Sequence, residues 1–106
     1  MDVDLNKLPV IHNEAAQRFE LLVDGARALL TYRRFPDRIL LVHTEVPQPF
    51  ESHGIAARLS RFALDFARAN RLRVVPLCAY VSSFIQKHPE YQDLVAPDDL
   101  QKLLSR

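Results

Sequence analysis

The sequence predicts an α/β chain built on a mixed, mostly antiparallel sheet in the order βββαβα, with a short helical C-terminal tail. Three observations carry that expectation. Residues 17–46 hold three apolar or β-branched runs, the first two joined by the dipeptide Asp24-Gly25. From Gly54 the apolar residues change to helical spacing. Beyond that helix lies a further short apolar run, "RLRVVPLC", from Arg71 to Cys78.

Each element has a local cause. Gln17 to Val23 and Ala26 to Arg33 read as two strands of a hairpin, because Asp-Gly supplies both positive-φ positions of a tight turn. After a turn at Pro36 and Asp37, "RILLVHTEV" from Arg38 to Val46 has the β-branched, apolar character of a third strand. Ile55, Leu59, Phe62, Ala63, Phe66 and Ala67 then fall on one face of a helix of about four turns, with Arg58, Arg61, Asp65 and Arg68 on the other. That helix ends near Asn70, and the Arg71–Cys78 run is expected to lie parallel to the third strand through a right-handed crossover. A second helix is expected from Ala79 to Lys87. Pro97 opens a last short helix carrying Leu100, Leu103 and Leu104.

Composition bounds the function. The chain has 106 residues, 48% of them apolar, enough for one domain over residues 1–106, with 1–14 as an extended N-terminal segment and 96–106 as a helical tail. Fourteen Lys and Arg against 13 Asp and Glu give a net charge of +1, so no general field draws nucleic acid or anionic lipid. The single cysteine forms no internal disulfide, and the acidic start "MDVDLNKLPV" lacks the basic, apolar character of a secretory signal. A cytoplasmic location is expected, with no membrane span. CxxC, HExxH and nucleophile-elbow motifs are absent, and His12, His43, His53 and His88 are scattered, so no metal is expected.

Gly54 stands where a strand-exit loop enters the long helix. Unpaired N–H groups of a first helical turn, with the helix dipole behind them, suit a phosphate, and glycine allows close approach. Two readings stay open at this point: a phosphate site, or a glycine that merely eases helix entry with Ser52 as a local cap.

The segment "HTEVPQPFESHGIAARLSRFALDFARANRLRVVPLCAYVSSFIQKHPEYQDLV", His43 to Val95, resembles the small single-domain branch of the GNAT superfamily of acetyl-CoA-dependent N-acetyltransferases. "HTEVP", "HGIA..L" and "P.C.YV...I..HPEY" are its most specific parts, and the preceding hairpin extends the resemblance to roughly residues 15 to 95. The resemblance implies a minimal GNAT-like fold. It also implies that the third strand and the "PLC" strand splay apart, that acetyl-CoA lies in the gap, and that its pyrophosphate rests on the amides of Gly54, Ile55 and Ala56. The family's Q/R-x-x-G-x-G/A motif reads here Glu51, Ser52, His53, Gly54, Ile55, Ala56. Glu51 departs from the motif by placing a carboxylate where Gln or Arg is usual. A nearby phosphate would favour protonated His53, which offsets part of that charge.

Acyl transfer needs a neutral amine, a polarised thioester carbonyl and a proton for the departing thiolate. His43 and Glu45 alternate along the third strand, so both share one face, and either is a candidate base. By resemblance, the backbone N–H groups of Thr44 and Val46 meet the pantetheine and the thioester oxygen. The resemblance further implies that Cys78 lies near the acetyl group, as a covalent relay or as pocket lining. Tyr80 is the candidate acid, and Ser82 and Ser83 are candidate hydrogen-bonding partners of the pantetheine. Arg58, Arg61, Arg71, Arg73 and Lys87 are all candidates for the cofactor's 3′-phosphate, none singled out. Larger members cover the acceptor with helices between their first strands, and the Asp24-Gly25 turn leaves no room for these. The expected acceptor site is therefore open and suits an amine of a peptide or protein, with the chain a monomer or a homodimer. A CoA-binding or protein-interaction module without turnover is the alternative, to which Glu51 lends weight.

Overall fold

The computed structural model describes residues 8–51 and 54–105. Its sheet has five strands in the order of the chain: β1 (Ile11–Asn13), β2 (Arg18–Val23), β3 (Ala26–Arg34), β4 (Arg38–Glu45) and β5 (Arg73–Pro76). Neighbours are antiparallel except β4 and β5, which are parallel and joined across α1 (Ile55–Ala69). Two further helices, α2 (Ala79–Lys87) and α3 (Pro97–Leu104), complete the described chain, with short 3-10 segments at Gln48–Phe50 and Pro89–Leu94. This is the mixed, mostly antiparallel α/β fold expected.

The hairpin forms for the reason its sequence suggests. Asp24 and Gly25 take φ of 49° and 78°, the pair of positive values that matches the twist of the flanking strands. Alternation along β2 and β3 then sorts side chains by face: Phe19, Leu21, Val23, Ala28, Leu30 and Tyr32 are buried under the helices. Ile39, Leu41 and Val74 continue that layer, and Ile55, Leu59, Ala63, Leu64 and Ala67 of α1 cover it.

Three details differ from expectation. Part of the N-terminal segment is a strand, since Ile11–Asn13 pairs with Arg18–Glu20 and adds an edge to the sheet. The stripe that α1 buries is rotated: Leu64 and Ser60 are buried, whereas Phe62 is 38% exposed and Phe66 only half-buried. The two phenylalanines instead join an aromatic cluster over the outer strands, with Phe19 ring centroids 5.5 Å from each, and His12 and Tyr32 alongside. Finally, β5 is shorter than its apolar run, ending at Pro76. The N–H groups of Leu77 and Cys78 both bond to the Leu41 carbonyl, at 2.9 and 3.0 Å, and this shared acceptor ends the parallel ladder.

At its C-terminus α1 closes on Asn70, whose side chain donates to the Phe66 carbonyl at 2.8 Å, and on Arg71 in the left-handed region at φ 56°. Glycine usually fills such a position, because a side chain there crowds the backbone by roughly 1–2 kcal/mol. Arg71→Gly removes that strain and adds back some unfolded-state entropy, so a net gain of about 0.5–1 kcal/mol is expected. An equilibrium urea titration measures it; a loss of stability would show that the arginine side chain outweighs its backbone strain.

Candidate functional site

The site begins where β4 and β5 part. Their pairing runs from Arg38 opposite Arg73 to Leu41 opposite Pro76, and beyond it only β3 pairs with the rest of β4. At the same point β4 carries a bulge. Tyr32 pairs with Leu41 and Thr31 with His43, so Val42 is the extra residue without a partner across the ladder. The extra residue shifts the alternation of everything after it by one.

That shift decides which face each group meets. Thr44 pairs with buried Leu30 and so lies on the helix face. There its Oγ1 comes 3.2 Å from Cys78 Sγ across the gap between the strands. His43 and Glu45 lie on the opposite, helix-free face, 61% and 67% exposed, with Nε2 and Oε2 3.8 Å apart. The shared face read from their spacing is present. The bulge supplies what spacing alone lacked: this face is the reverse of the one carrying Thr44 and Cys78.

Cys78 stands at the N-cap of α2. Burial raises its thiol pKa, but hydrogen bonds from the Thr44 hydroxyl and from the N–H groups of Val81, Tyr80 and Thr44 outweigh burial, and the net shift is below the ordinary thiol value. A sulfur ringed by donors at a helix start is biased toward thiolate.

Gly54 caps α1 with φ 76°, and a side-chain carbon built there would meet nothing within 4 Å. Its conformation calls for glycine, and the space beyond it is open. Ile55 follows with a fully buried side chain, so only its main chain faces the helix start, while Ala56 is half-buried. Glu51 is exposed. The expectations for Ser52 and His53 lie outside the described residues.

From this helix start a groove of about 200 Å³ runs between α1 and α2, lined by Ala57, Arg61, Tyr80, Ser83, Phe84, Lys87 and His88. Tyr80 is 42% exposed, and burial of the rest of its ring raises the phenol pKa. Arg61 is positioned on this rim by three contacts. It donates to Tyr91 Oη at 3.2 Å, lies 3.8 Å from Glu90, and stacks its guanidinium 5.5 Å from the Phe84 ring centre. His88 is stacked flat on Phe84, centroids 3.9 Å apart, with Nδ1 on the Phe84 carbonyl. Ser82 has a structural place instead: it is buried and donates to the Pro76 carbonyl at 3.0 Å, tying α2 to the end of β5.

The structure thus assembles Thr44 with Cys78, His43 with Glu45, and Tyr80 with Ser83. Phe84 belongs to the groove although its sequence position carried no signal beyond helical spacing, and His88 joins it from the "HPEY" run. Of the cations considered, Arg61 and Lys87 reach the groove, whereas Arg71 and Arg73 line a separate depression with Arg68 and Asp93 at the far end of α1. Among the described residues no three His, Cys, Asp or Glu side chains gather as a metal site requires, and no helix is long and apolar enough to cross a membrane.

Comparison with known proteins agrees with this geometry. Residues 18–94 match the family described as GCN5-related N-acetyl-transferase. Protein NATD1 of Bos taurus is 34% identical over 93 residues, covering 83% of this chain and 82% of its own. NATD1 of Homo sapiens is 32% identical with the same two coverages, and that of Gallus gallus is 33% identical over 85 residues, 77% of each chain. The match spans the hairpin, the bulged strand, the Gly54 helix and the Cys78 turn, and the chain belongs to the GCN5-related N-acetyltransferase family.

Proposed function

We propose that this chain binds acetyl-CoA and transfers its acetyl group to an amine of a peptide or protein. The observation that carries the reading is the parting of β4 and β5 at Leu41 and Pro76, with donors and a thiol facing the gap on one side and a His–Glu pair on the other. Acetyl-CoA supplies the acetyl thioester and a thiolate leaving group.

In this reading the main-chain N–H groups of Gly54, Ile55 and Ala56 receive the pyrophosphate at the start of α1. Gly54 has open space before it, and the positive end of a 15-residue helix lies behind. Exposed Glu51 turns its charge to water, where screening limits its repulsion. The groove between α1 and α2 takes the rest of the cofactor, with Ser83 as a polar contact and Arg61 and Lys87 at its rim. In this reading the Val46 N–H and the Thr44 main chain would polarise the thioester oxygen in the gap.

The acceptor amine arrives on the helix-free face. His43 or Glu45 takes its proton, directly or through water, and the freed lone pair attacks the carbonyl in the gap. Tyr80 returns a proton to the leaving thiolate. Its raised pKa keeps the phenol protonated at neutral pH, as a donor must be. Cys78 admits a second role. Its donor-ringed sulfur favours a relay, in which the acetyl group moves first to Sγ with release of CoA, and then to the amine with Sγ recovering as thiolate.

Three outcomes are expected. Calorimetric titration with acetyl-CoA shows binding by the wild type that Gly54→Asp abolishes by charge and bulk. Gly54→Ala, which meets no atom, keeps binding and loses roughly 1–2 kcal/mol of stability to its left-handed backbone. Absence of wild-type binding at millimolar ligand would leave only the interaction module. In an assay of released CoA, Tyr80→Phe and His43→Ala each lower kcat by about 10²-fold; unchanged rates would remove those residues from the mechanism. The lowered Cys78 pKa means that its thiolate population builds up at lower pH than that of a free thiol. Iodoacetamide should therefore alkylate Cys78 with a rate midpoint at lower pH than that of free cysteine measured alongside, and bound acetyl-CoA should protect it. A midpoint at or above that of free cysteine would confine Cys78 to lining the gap.

A further inference from the structure

The helix-free face of the sheet has a charge pattern of its own. Along β3 the residues on this face are Arg27, Leu29, Thr31 and Arg33, and the ladder sets Thr31 beside His43 and Leu29 beside Glu45. Arg27 and Arg33 are both exposed, and among the described residues neither has an ion-pair partner. The neighbouring strand holds one carboxylate on this face, Glu20, whose charge reaches Arg27 at longer range but which is buried and bonded directly to Arg18 and Asn13, so it forms an ion pair with neither Arg27 nor Arg33. The face therefore presents two cations without a direct ion pair, Arg27 and Arg33, astride the His43–Glu45 pair. Arg33 stands two residues from the His43 row and Arg27 four residues from it on the other side, roughly 7 and 13 Å along the strand. Between them Leu29 and Thr31 form a half-buried floor with no bulky charge.

We infer that the acceptor is an amine within an acidic peptide segment of a partner protein, laid extended along β3 with its amine over His43 and its carboxylates on Arg27 and Arg33. The inference rests on the acetyltransfer reading for the direction in which the amine points, and on charge complementarity for the rest. An extended peptide advances by the same 3.3–3.4 Å per residue as the strand beneath it, so carboxylates about two positions to one side of the amine and four to the other fall over the two arginines. Glu45 repels such flanks but attracts the ammonium itself, which keeps the amine, rather than a carboxylate, at the centre. A basic segment would place its cations against Arg27 and Arg33 and be disfavoured. The acceptor's chemistry is in this way read by two residues that take no part in the transfer.

The test compares three end-capped nonapeptides with one central lysine and Glu, Ala or Arg at the second and fourth positions on each side. Two readings are taken on the full chain at low and at moderate salt: peptide binding by fluorescence anisotropy, which needs no turnover, and kcat/KM from released CoA. The Glu peptide should exceed the Ala peptide by roughly three- to tenfold in both, from two exposed ion pairs, with the Arg peptide lowest and the differences shrinking as salt rises. Charge reversal at both positions, Arg27→Glu with Arg33→Glu, should invert the order of Glu and Arg peptides while acetyl-CoA titration is unchanged. The single change Arg33→Ala should reduce the Glu preference without inverting it. Equal behaviour of Glu and Ala peptides, preference for Arg flanks, or a preference that survives charge reversal would overturn the inference. Binding of the Glu peptide by a chain that fails to bind acetyl-CoA would uphold the acidic docking face and overturn the acetyltransfer reading instead.

Discussion

Everything at the proposed site depends on how β4 and β5 are made to separate. A parallel ladder is ended here by one carbonyl: Leu41 O accepts from both Leu77 and Cys78, so the chain leaves β5 by turning rather than continuing alongside β4. Pro76, immediately before, contributes no N–H that could extend the pairing. The turn brings Cys78 to the first turn of α2, and Ser82, bonded back to Pro76 O, holds the helix to the strand it has just left. A gap is thereby built from backbone geometry, opening past the last pair of the ladder, Leu41 and Pro76.

The bulge at Val42 works with that separation. In an unbroken strand the residues that alternate with Leu41 would carry Thr44 to the open face and His43 and Glu45 toward the helices. The inserted residue reverses this, and sends the compact hydroxyl to the sulfur and the ionisable pair to water. The reversal costs little where it sits, because the side of β4 past Leu41 has no β5 partner whose ladder it could disrupt. A cofactor-sized gap on one face and a polar pair on the other are therefore two consequences of one local irregularity.

The groove between α1 and α2 is secured by contacts remote from the gap. Tyr91 accepts from Arg61 and donates to Asp65 at 2.8 Å, while Arg68 holds Asp93 through two 2.9 Å bonds. Burial, together with the adjacent Asp65 carboxylate, raises the Tyr91 pKa, so the phenol stays protonated and keeps donating over the neutral range. These bonds clamp the Pro89–Leu94 turn against α1 and fix the distance between the two helices. The pattern "HPEY" is legible as a helix end in the sequence, but its role as a clamp needs the partners that Arg61 and Asp65 bring from another element.

Local chemistry explains what the sequence alone determined. Asp24-Gly25 imposes the hairpin, Gly54 allows the left-handed entry to α1, and runs of period two and period three to four mark strands and helices, because each rests on neighbours within a few residues. The grouping of His43 with Glu45 follows from the same local period. Tertiary structure decided the rest. The pairing of Ile11–Asn13 as an edge strand depends on a neighbour that a three-residue stretch cannot specify. The rotation of the α1 stripe depends on where the aromatic cluster of Phe19, Tyr32 and His12 leaves room for Phe62 and Phe66. The face on which each site residue sits depends on a bulge, and a bulge is a mismatch between two strands, a property that neither strand's own residues encode.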